Sequence, residues 1–343
     1  MKKLRNLLTC VAAITAAAMT LGGCSKPAEA PENTDTASSE PFSIGILQLV
    51  EHEALDASRT GFLDALAEEG YKDGEAISVN FQNAQNDQSN LKTMSQKFVN
   101  DNVDLILAIA TPAAQSVATE TTTIPILGTA ITDYVEAGLV ESNEVPATNV
   151  SGTSDRTPVE EQFQLMMKLL PDTKKVGIMY NSSEPNSEIQ AKIAMAVAEE
   201  LGLTYEIGTV TNINDIPQAV QSLVTKVDAF YIPTDNTFAS AMVNLTAITN
   251  DANIPVIVGE SGPCKNGGLA TTGIDYYKLG YQTGKMAVRV IQGEDVSTMP
   301  IEYAENNDIC INLDAAKILG IEIPQDILDS ASIIIQDGEA TQK

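Results

Sequence analysis

Residues 103–115, VDLILAIATPAAQ, decide the fold. The first eight residues are apolar apart from Asp104, which is typical of a parallel strand that is buried on both faces. Thr111 and Pro112 then suit the cap and the first position of a helix. A buried strand that runs directly into a helix predicts an α/β fold built from right-handed βαβ crossovers.

The same alternation of strand and helix extends outward on both sides of this stretch. In the first half, helical apolar spacing and Gly or Pro breaks predict strands at 42–49, 75–81, 103–110 and 124–127 and helices at 54–69, 87–100 and from 111. After Pro158 the cycle restarts, with predicted helices at 159–170, 187–201, 215–225, 237–250 and 276–291 and strands at 174–180, 205–210, 227–232, 254–258 and 268–272. The chain therefore divides into two similar halves.

Two such halves predict two doubly wound, Rossmann-like α/β lobes joined by a three-segment hinge. The expected boundaries are residues 42–152 with 273–300 for lobe 1 and residues 153–272 with 301–338 for lobe 2. The expected hinge segments lie near residues 152–157, 272–276 and 300–309. Ligands bind at the carboxyl ends of strands in open α/β sheets, so a shared cleft between the lobes is the expected site. Hinged lobes can close around such a ligand.

The first 23 residues have the layout of a secretory signal. Lys2, Lys3 and Arg5 precede an apolar run at 7–21 that is too short to span a membrane. The run ends in Leu-Gly-Gly before Cys24, which resembles the lipobox of bacterial lipoproteins. That resemblance implies cleavage before Cys24 and a diacylglyceryl anchor on it, with palmitate as a typical acyl chain. The alternative is an ordinary signal peptide with a cysteine there by chance.

Residues 24–41 predict a flexible tether between this leader and the lobes. They are rich in Pro, Ala, Glu, Thr and Ser and show no apolar periodicity. Such a segment cannot bury enough apolar surface to order itself.

The charge and the motif content exclude several classes of function. The 343-residue chain has a net charge of −26, and without its leader it keeps 17 basic against 46 acidic residues, the wrong sign for nucleic-acid binding. A single histidine and the lack of GxSxG, HExxH, CxxC or GxxxxGKS runs argue against an enzyme. We predict no catalysis, no cofactor and no metal site. Cys264 and Cys310 leave open whether they form one disulfide or two buried thiols.

The candidate binding residues follow the predicted strands, where helix N-termini face the cleft. After the strand at 103–110, the Thr111 hydroxyl, with Pro112, Ala113 and the N–H groups at 113 and 114, could hold a carboxylate. Glu184 and Asp235 could each accept hydrogen bonds from an ammonium, and Tyr180 could stack on an aromatic ring. Around them lie further candidates: Asn181, Asn186, Ser187, Thr234 and Asn236.

Other strand ends supply a second group of candidates. These are Gln48, Glu51 and His52 after the first strand, Thr129, Ala130 and Asp133 after the fourth, Ser154 with Asp155 near a crossover, Asp275 near another, and Glu260 as a weaker candidate. Most of these residue types also cap helices or form turns, so a structural role stays open for each.

Several of these stretches together resemble the substrate-binding lipoproteins of ABC importers for aromatic amino acids. The matching residues are 45–48, 51–52 and 54–57; 83–85; 109–115; 150–155; 176–181 with Glu184, Asn186 and Ser187; 232–236; and 274–284. The resemblance spans residues 43 to about 320. It implies a type I periplasmic binding protein fold and tryptophan, tyrosine or phenylalanine as the solute.

The resemblance also implies partners and a location. The expected protein is a lipid-anchored monomer on the extracytoplasmic face of the cell membrane that delivers solute to a permease and an ATPase. Two alternatives remain: the same fold with another solute, such as a nucleoside or another amino acid, or a solute sensor for a membrane receptor.

Overall fold

A computed structural model describes residues 41–304 and 308–343, and the predicted leader and most of the tether lie outside these residues. It confirms the alternating α/β pattern. The strands are β1 Phe42–Gln48, β2 Ile77–Asn83, β3 Leu105–Ile109, β4 Ile126–Ile131, β5 Val150–Ser154, β6 Lys175–Asn181, β7 Thr204–Val210, β8 Ala229–Ile232, β9 Val256–Val258, β10 Ala270–Gly273, β11 Glu302–Tyr303, β12 Asp308–Asn312, β13 Ile333–Gln336 and β14 Glu339–Gln342. The helices are α1 Glu53–Glu68, α2 Gln88–Asn100, α3 Thr111–Glu120, α4 Val159–Leu169, α5 Pro185–Glu200, α6 Ile216–Leu223, α7 Asn236–Asp251, α8 Ser261–Lys265, α9 Tyr276–Ile291, α10 Leu313–Leu319 and α11 Gln325–Ser330.

Two sheets form the centres of two lobes. The first sheet has the order β11-β5-β4-β3-β1-β2, with every pair parallel. The second has the order β14-β13-β12-β10-β9-β8-β6-β7 and is parallel from β7 to β10. The predicted doubly wound arrangement is therefore confirmed in both lobes, and β12, β13 and β14 add an edge of mixed parallel and antiparallel pairs to the second.

The chain passes between the sheets three times, after β5, after β10 and after β11. Glu302 and Tyr303, which the sequence places in lobe 2, instead pair with Thr153 and Ser154 in the first sheet. That third crossing therefore falls between Tyr303 and Asp308. No strand was predicted at β5, because VSGTS is short and lacks apolar alternation although all five residues are buried.

Helix α9 returns from the second sheet to pack in lobe 1 against α1. A Cβ at Gly280 would lie 1.9 Å from the Ser58 carbonyl oxygen, and one at Gly61 would lie 2.1 Å from the Tyr277 carbonyl oxygen. Only glycine permits the two backbones to approach so closely. This contact fixes the end of the second crossing to lobe 1.

The cores follow the alternation of the strands. Lobe 1 has one continuous core, whereas the second sheet separates two, with Tyr231 and Ile257 on one face and Phe230 and Val256 on the other. Cys264 and Cys310 are buried free thiols in the second lobe. Within the described residues, no helix has the length and apolar character needed to cross a membrane.

Candidate functional site

The carboxyl ends of the two sheets face each other across a closed cleft. Helices α3 and α5 approach there, and Pro112 and Pro185 line one cavity of about 520 Å³ between the lobes. Away from the crossing segments, the side-chain contacts that join the lobes include His52 Nε2 to Asn236 Oδ1 (3.1 Å), Asn86 Nδ2 to Thr237 Oγ1 (3.0 Å), Gln190 Nε2 to Thr132 Oγ1 (3.3 Å) and a rim ion pair between Lys265 and Glu53.

The lobe 1 wall combines small side chains with strained backbone. Ala110 has φ +84° at the end of β3, and Ala130 has φ +56° where the pairing of β4 with β5 shifts register. Non-glycine residues with positive φ angles cost conformational free energy and are concentrated at functional sites. The N–H groups of Ala113 and Ala114 donate to the Ala110 carbonyl. They are therefore not free to bind a ligand carboxylate, contrary to the expectation from the sequence. The buried Thr111 hydroxyl has no partner among the described residues.

Glu184 braces the start of α7 rather than offering a free carboxylate. Its Oε2 accepts from the Asn236 backbone N–H (3.1 Å) and side-chain Nδ2 (2.6 Å). Its Oε1 accepts from the Thr237 N–H (3.0 Å) and hydroxyl (2.7 Å) and from Asn181 Nδ2 (3.3 Å). Both oxygens are therefore occupied within lobe 2, which argues against the predicted contact with a ligand ammonium.

Asp235 is likewise committed to the protein backbone. Its Oδ1 accepts from the Phe238 N–H at 2.9 Å as the cap of α7, and its Oδ2 accepts from the Asn181 N–H at 2.6 Å. Burial and then the Glu184 charge raise the pKa of Asp235, and the two backbone donors oppose that rise. This residue joins β6 to α7, and a direct role in binding an ammonium has no support in its contacts.

Glu260 and Asp155 form a different acidic pair next to the Tyr276 hydroxyl. Glu260 precedes α8 but makes no cap hydrogen bond, is 1% exposed, and leaves Oε2 without a partner among the described residues. Asp155 accepts from the Tyr276 hydroxyl (2.8 Å) and the Thr132 hydroxyl (3.0 Å). No lysine or arginine of the described chain hydrogen-bonds either carboxyl group.

The electrostatics of this pair favour a cation. Burial, and next the Asp155 charge, raise the pKa of Glu260 to about 8. Burial also raises the pKa of Asp155, against the hydrogen bonds from Tyr276 and Thr132. A buried carboxylate is costly unless a cation or several donors pair with it. Glu260 was predicted only as a weaker candidate, and a single acid in a Gly-Glu-Ser-Gly turn has no distinctive sequence pattern.

Free buried polar atoms come from both walls of the cleft. Besides Thr111 Oγ1 and Glu260 Oε2, they are Asn186 Oδ1 and Thr234 Oγ1 at the second lobe. Buried polar atoms in folded proteins nearly always have partners, so several unpaired ones at one place indicate a ligand site.

Other predicted residues are engaged within the protein. Gln48 Nε2 donates to Val50 O and Asp56 Oδ1, and its Oε1 accepts from Arg59. The Thr129 hydroxyl accepts from Thr153. The Ser154 hydroxyl donates to Thr132 O, and the Ser187 hydroxyl lies 3.4 Å from Thr234 O. The Asn181 side chain donates to Glu184 and to the Thr237 hydroxyl.

A few candidates have contacts that do not involve the unpartnered groups. Asp133 caps a turn at Val135, and Asp275 caps α9 through the Lys278 N–H. Tyr180 packs against the core of its own lobe, and Glu51 is exposed. A cavity of about 790 Å³ at the amino ends of the lobe 1 strands, near Phe42, contains none of the free buried groups of the cleft.

The comparisons with known proteins agree with this geometry. Residues 43–335 match the family model described as ABC transporter substrate binding protein. The chain is 41% identical over 325 residues to the tyrosine-binding protein of Clostridioides difficile strain R20291, covering 94% of each chain.

Two solved structures are similar over most of the chain. An ABC domain from Streptococcus pneumoniae in complex with L-Trp is 39% identical, with a TM-score of 0.84 over 86% of this chain and all of that one. The ligand-free, open structure of a Clostridium difficile substrate-binding protein with adhesive properties is 46% identical but has a TM-score of only 0.67, over 86% of this chain and 99% of that one. The lower score at higher identity, together with the bonds between the lobes, indicates that this structure is the closed arrangement.

Proposed function

The chain belongs to the ABC transporter substrate-binding protein family, and from that premise we propose that it binds an aromatic amino acid in the cleft and supplies it to an ABC importer. Among the residues that the structure describes, the observation that carries this proposal is the buried acidic pair, Glu260 with one unpartnered oxygen and Asp155 bonded only to hydroxyl groups, together with the unpartnered hydroxyl of Thr111. An α-amino acid carries an ammonium and a carboxylate on one carbon, and it can satisfy groups of both kinds.

The ammonium is assigned to Glu260 and Asp155. These acids are buried, repel one another and have no basic side chain as a partner among the described residues. A ligand ammonium can donate three charge-assisted hydrogen bonds, and these are about twice as strong as neutral ones.

The ligand carboxylate is assigned to the start of α3. The Thr111 hydroxyl is buried and free, and the helix N-terminus adds a favourable partial positive charge. Thr234 and Asn186 also have buried polar atoms without a partner among the described residues where the second lobe meets the cleft, and they would complete the polar end of the site.

The aromatic side chain of the solute is supported by the relatives and by the lobe 1 wall. One relative is a tyrosine-binding protein and another was solved with L-Trp. Ala110, Ala113 and Ala130 are small buried side chains at the ends of β3 and β4, and side chains of this size would leave room for a planar ring.

The acidic pair also explains why closure should follow solute binding. Bringing Glu260 and Asp155 into a dry cleft without a cation costs free energy, so the empty lobes should favour the open form at neutral pH. An ammonium removes that cost and draws the lobes together.

The location and partners are part of the same proposal. The signal-like leader and the lipobox at Cys24 support export and a lipid anchor, and the acidic body suits attachment by a lipid rather than by charge. We expect a non-catalytic monomer that delivers solute to a permease and its ATPase.

A titration panel tests this function. The body from residue 41 is unfolded and refolded to release bound solute, then titrated by calorimetry with L-tyrosine, L-tryptophan and L-phenylalanine, with leucine, a nucleoside and a sugar as controls. The chain contains no Trp, so added tryptophan gives an independent fluorescence signal. Tight binding of one aromatic amino acid supports the proposal. Binding of a control alone keeps the family and contradicts the solute.

A further inference from the structure

The first turn of α7 receives hydrogen bonds from two separate loops of lobe 1. His52, which follows β1, contacts the Asn236 side-chain oxygen at 3.1 Å, and Asn86, which follows β2, contacts the Thr237 hydroxyl at 3.0 Å. The two lobe 2 residues are adjacent in sequence and are 7% and 1% exposed. Both contacts must break when the lobes separate, because each joins one sheet to the other.

Glu184 fixes both acceptors in the orientation that lobe 1 requires. The Asn236 side-chain Nδ2 donates to Glu184 at 2.6 Å, so its oxygen is turned toward His52. The His52 Nε2 atom must then carry the proton, and burial lowers the pKa of this imidazole, so it donates as a neutral group.

The Thr237 hydroxyl is used to its full capacity. It donates to Glu184 Oε1 at 2.7 Å and accepts from Asn181 at 2.8 Å and from Asn86 at 3.0 Å. A hydroxyl has one donor and two acceptor positions, so the lobe 1 bond completes the set. Asn86 has φ +57°, a conformation that asparagine tolerates better than most residues.

We propose that His52 and Asn86 form a latch that holds the closed lobes through the first turn of α7 and sets how fast the solute leaves. The latch does not include the groups assigned to the solute. It rests on the proposed function only in that a solute closes the lobes. His52, the sole histidine of the chain, is thus a positioning residue that stabilises the closed lobes and does not contact the solute.

Stopped-flow kinetics with L-tyrosine and L-tryptophan test the latch. A neutral hydrogen bond contributes modestly, so His52→Phe and Asn86→Gly should each raise the dissociation rate about 3- to 10-fold and leave the association rate within about twofold. His52→Gln retains a hydrogen-bond donor of similar reach, so its dissociation rate should be close to that of the unsubstituted chain. Gln85→Gly is the matched control, because Gln85 is exposed and has φ +55° beside Asn86.

A solute-independent measurement separates this proposal from the proposed function. Spin labels at Lys92→Cys and Lys192→Cys, on exposed helical positions of the two lobes, report the closed fraction of the solute-free chain. His52→Phe should lower the short-distance population relative to the otherwise unsubstituted label pair. Unchanged dissociation rates overturn the latch, and so do equal short-distance populations where the otherwise unsubstituted label pair shows a closed fraction. A chain that binds no aromatic amino acid while His52→Phe still shifts the distances overturns the solute assignment alone.

Discussion

Two pairs of buried carboxyl groups lie at the same edge of the cleft and differ in what holds them. Glu184 and Asp235 accept hydrogen bonds at all four oxygens, mostly from the first turn of α7. Glu260 keeps a free oxygen, and Asp155 is bonded only to hydroxyl groups. The first pair assembles the lobe, and the second pair is the one that we propose contacts the solute. Burial and residue type are the same in both, so the count of available donors makes the difference.

The largest effect that sharpens this comparison should come from Glu184→Gln. The substitution removes the charge from five hydrogen bonds and places a donor against the N–H groups of α7, so the free energy of unfolding should fall by about 3 kcal/mol. Urea unfolding of the solute-free chain measures it. Glu188→Gln is the control. The Glu188 side chain on α5 is 45% exposed, so the substitution should change the free energy of unfolding by under about 0.5 kcal/mol. Equal effects of the two would remove the structural role of Glu184.

Glu260→Gln should act on stability in the opposite direction. The folded-state pKa of Glu260 is raised from 4.5 to about 8, so the fold favours its neutral form. Below pH 4.5 Glu260 is neutral in the folded and unfolded states and does not reduce the free energy of unfolding. As the pH rises from 4.5 toward 8, the free energy of unfolding falls because the unfolded state ionises more readily.

The substitution removes the cost of ionising a buried Glu260, and opening of the solute-free lobes reduces that cost because it hydrates the carboxylate. The solute-free variant should therefore be more stable than the unsubstituted chain by about 1 kcal/mol at pH 8. The two should be nearly equal at pH 4.5. Urea unfolding at pH 4.5, 6.5 and 8 checks this, and a variant that is less stable at every pH would contradict a free, unpaired Glu260.

A smaller effect is expected at the carboxylate end. Thr111→Val keeps the side-chain shape and removes one hydroxyl, so the Kd for the solute should rise about 3- to 10-fold with little loss of stability. Thr119→Val lies on the exposed face of the same helix and serves as the control in calorimetric titrations. If both variants bind as tightly as the unsubstituted chain, α3 does not hold the carboxylate.

Much of the fold was predictable because it depends on local patterns. The buried run at β3, the Thr-Pro start of α3 and the Gly or Pro breaks predicted most element bounds within about three residues. The small polar strand β5 and the pairing of Glu302 with Thr153 were missed, because both depend on partners distant in sequence.

The candidate site was predictable in position and not in roles. Parallel sheets place polar residues of several strand ends in one cleft, which is why the strand-end pattern pointed to Thr111, Asn186 and Thr234, whose buried polar atoms have no partner among the described residues. Whether an acid is free depends on donors brought from elsewhere in the chain. Asp235 and Glu184 were therefore predicted as ligand-binding acids, whereas in the structure their oxygens accept hydrogen bonds from the backbone and side chains of lobe 2.

The most direct test of the central claim compares one solute with and without its ammonium. Calorimetry measures L-tyrosine and 3-(4-hydroxyphenyl)propanoate on the unsubstituted chain and on Glu260→Gln, or the tryptophan pair if tryptophan binds more tightly. A charge-assisted bond predicts that Glu260→Gln weakens the amino acid about 10- to 100-fold and leaves the deaminated acid unchanged or tighter. Equal losses for both ligands, or no loss for the amino acid, would contradict the assignment of Glu260 to the ammonium.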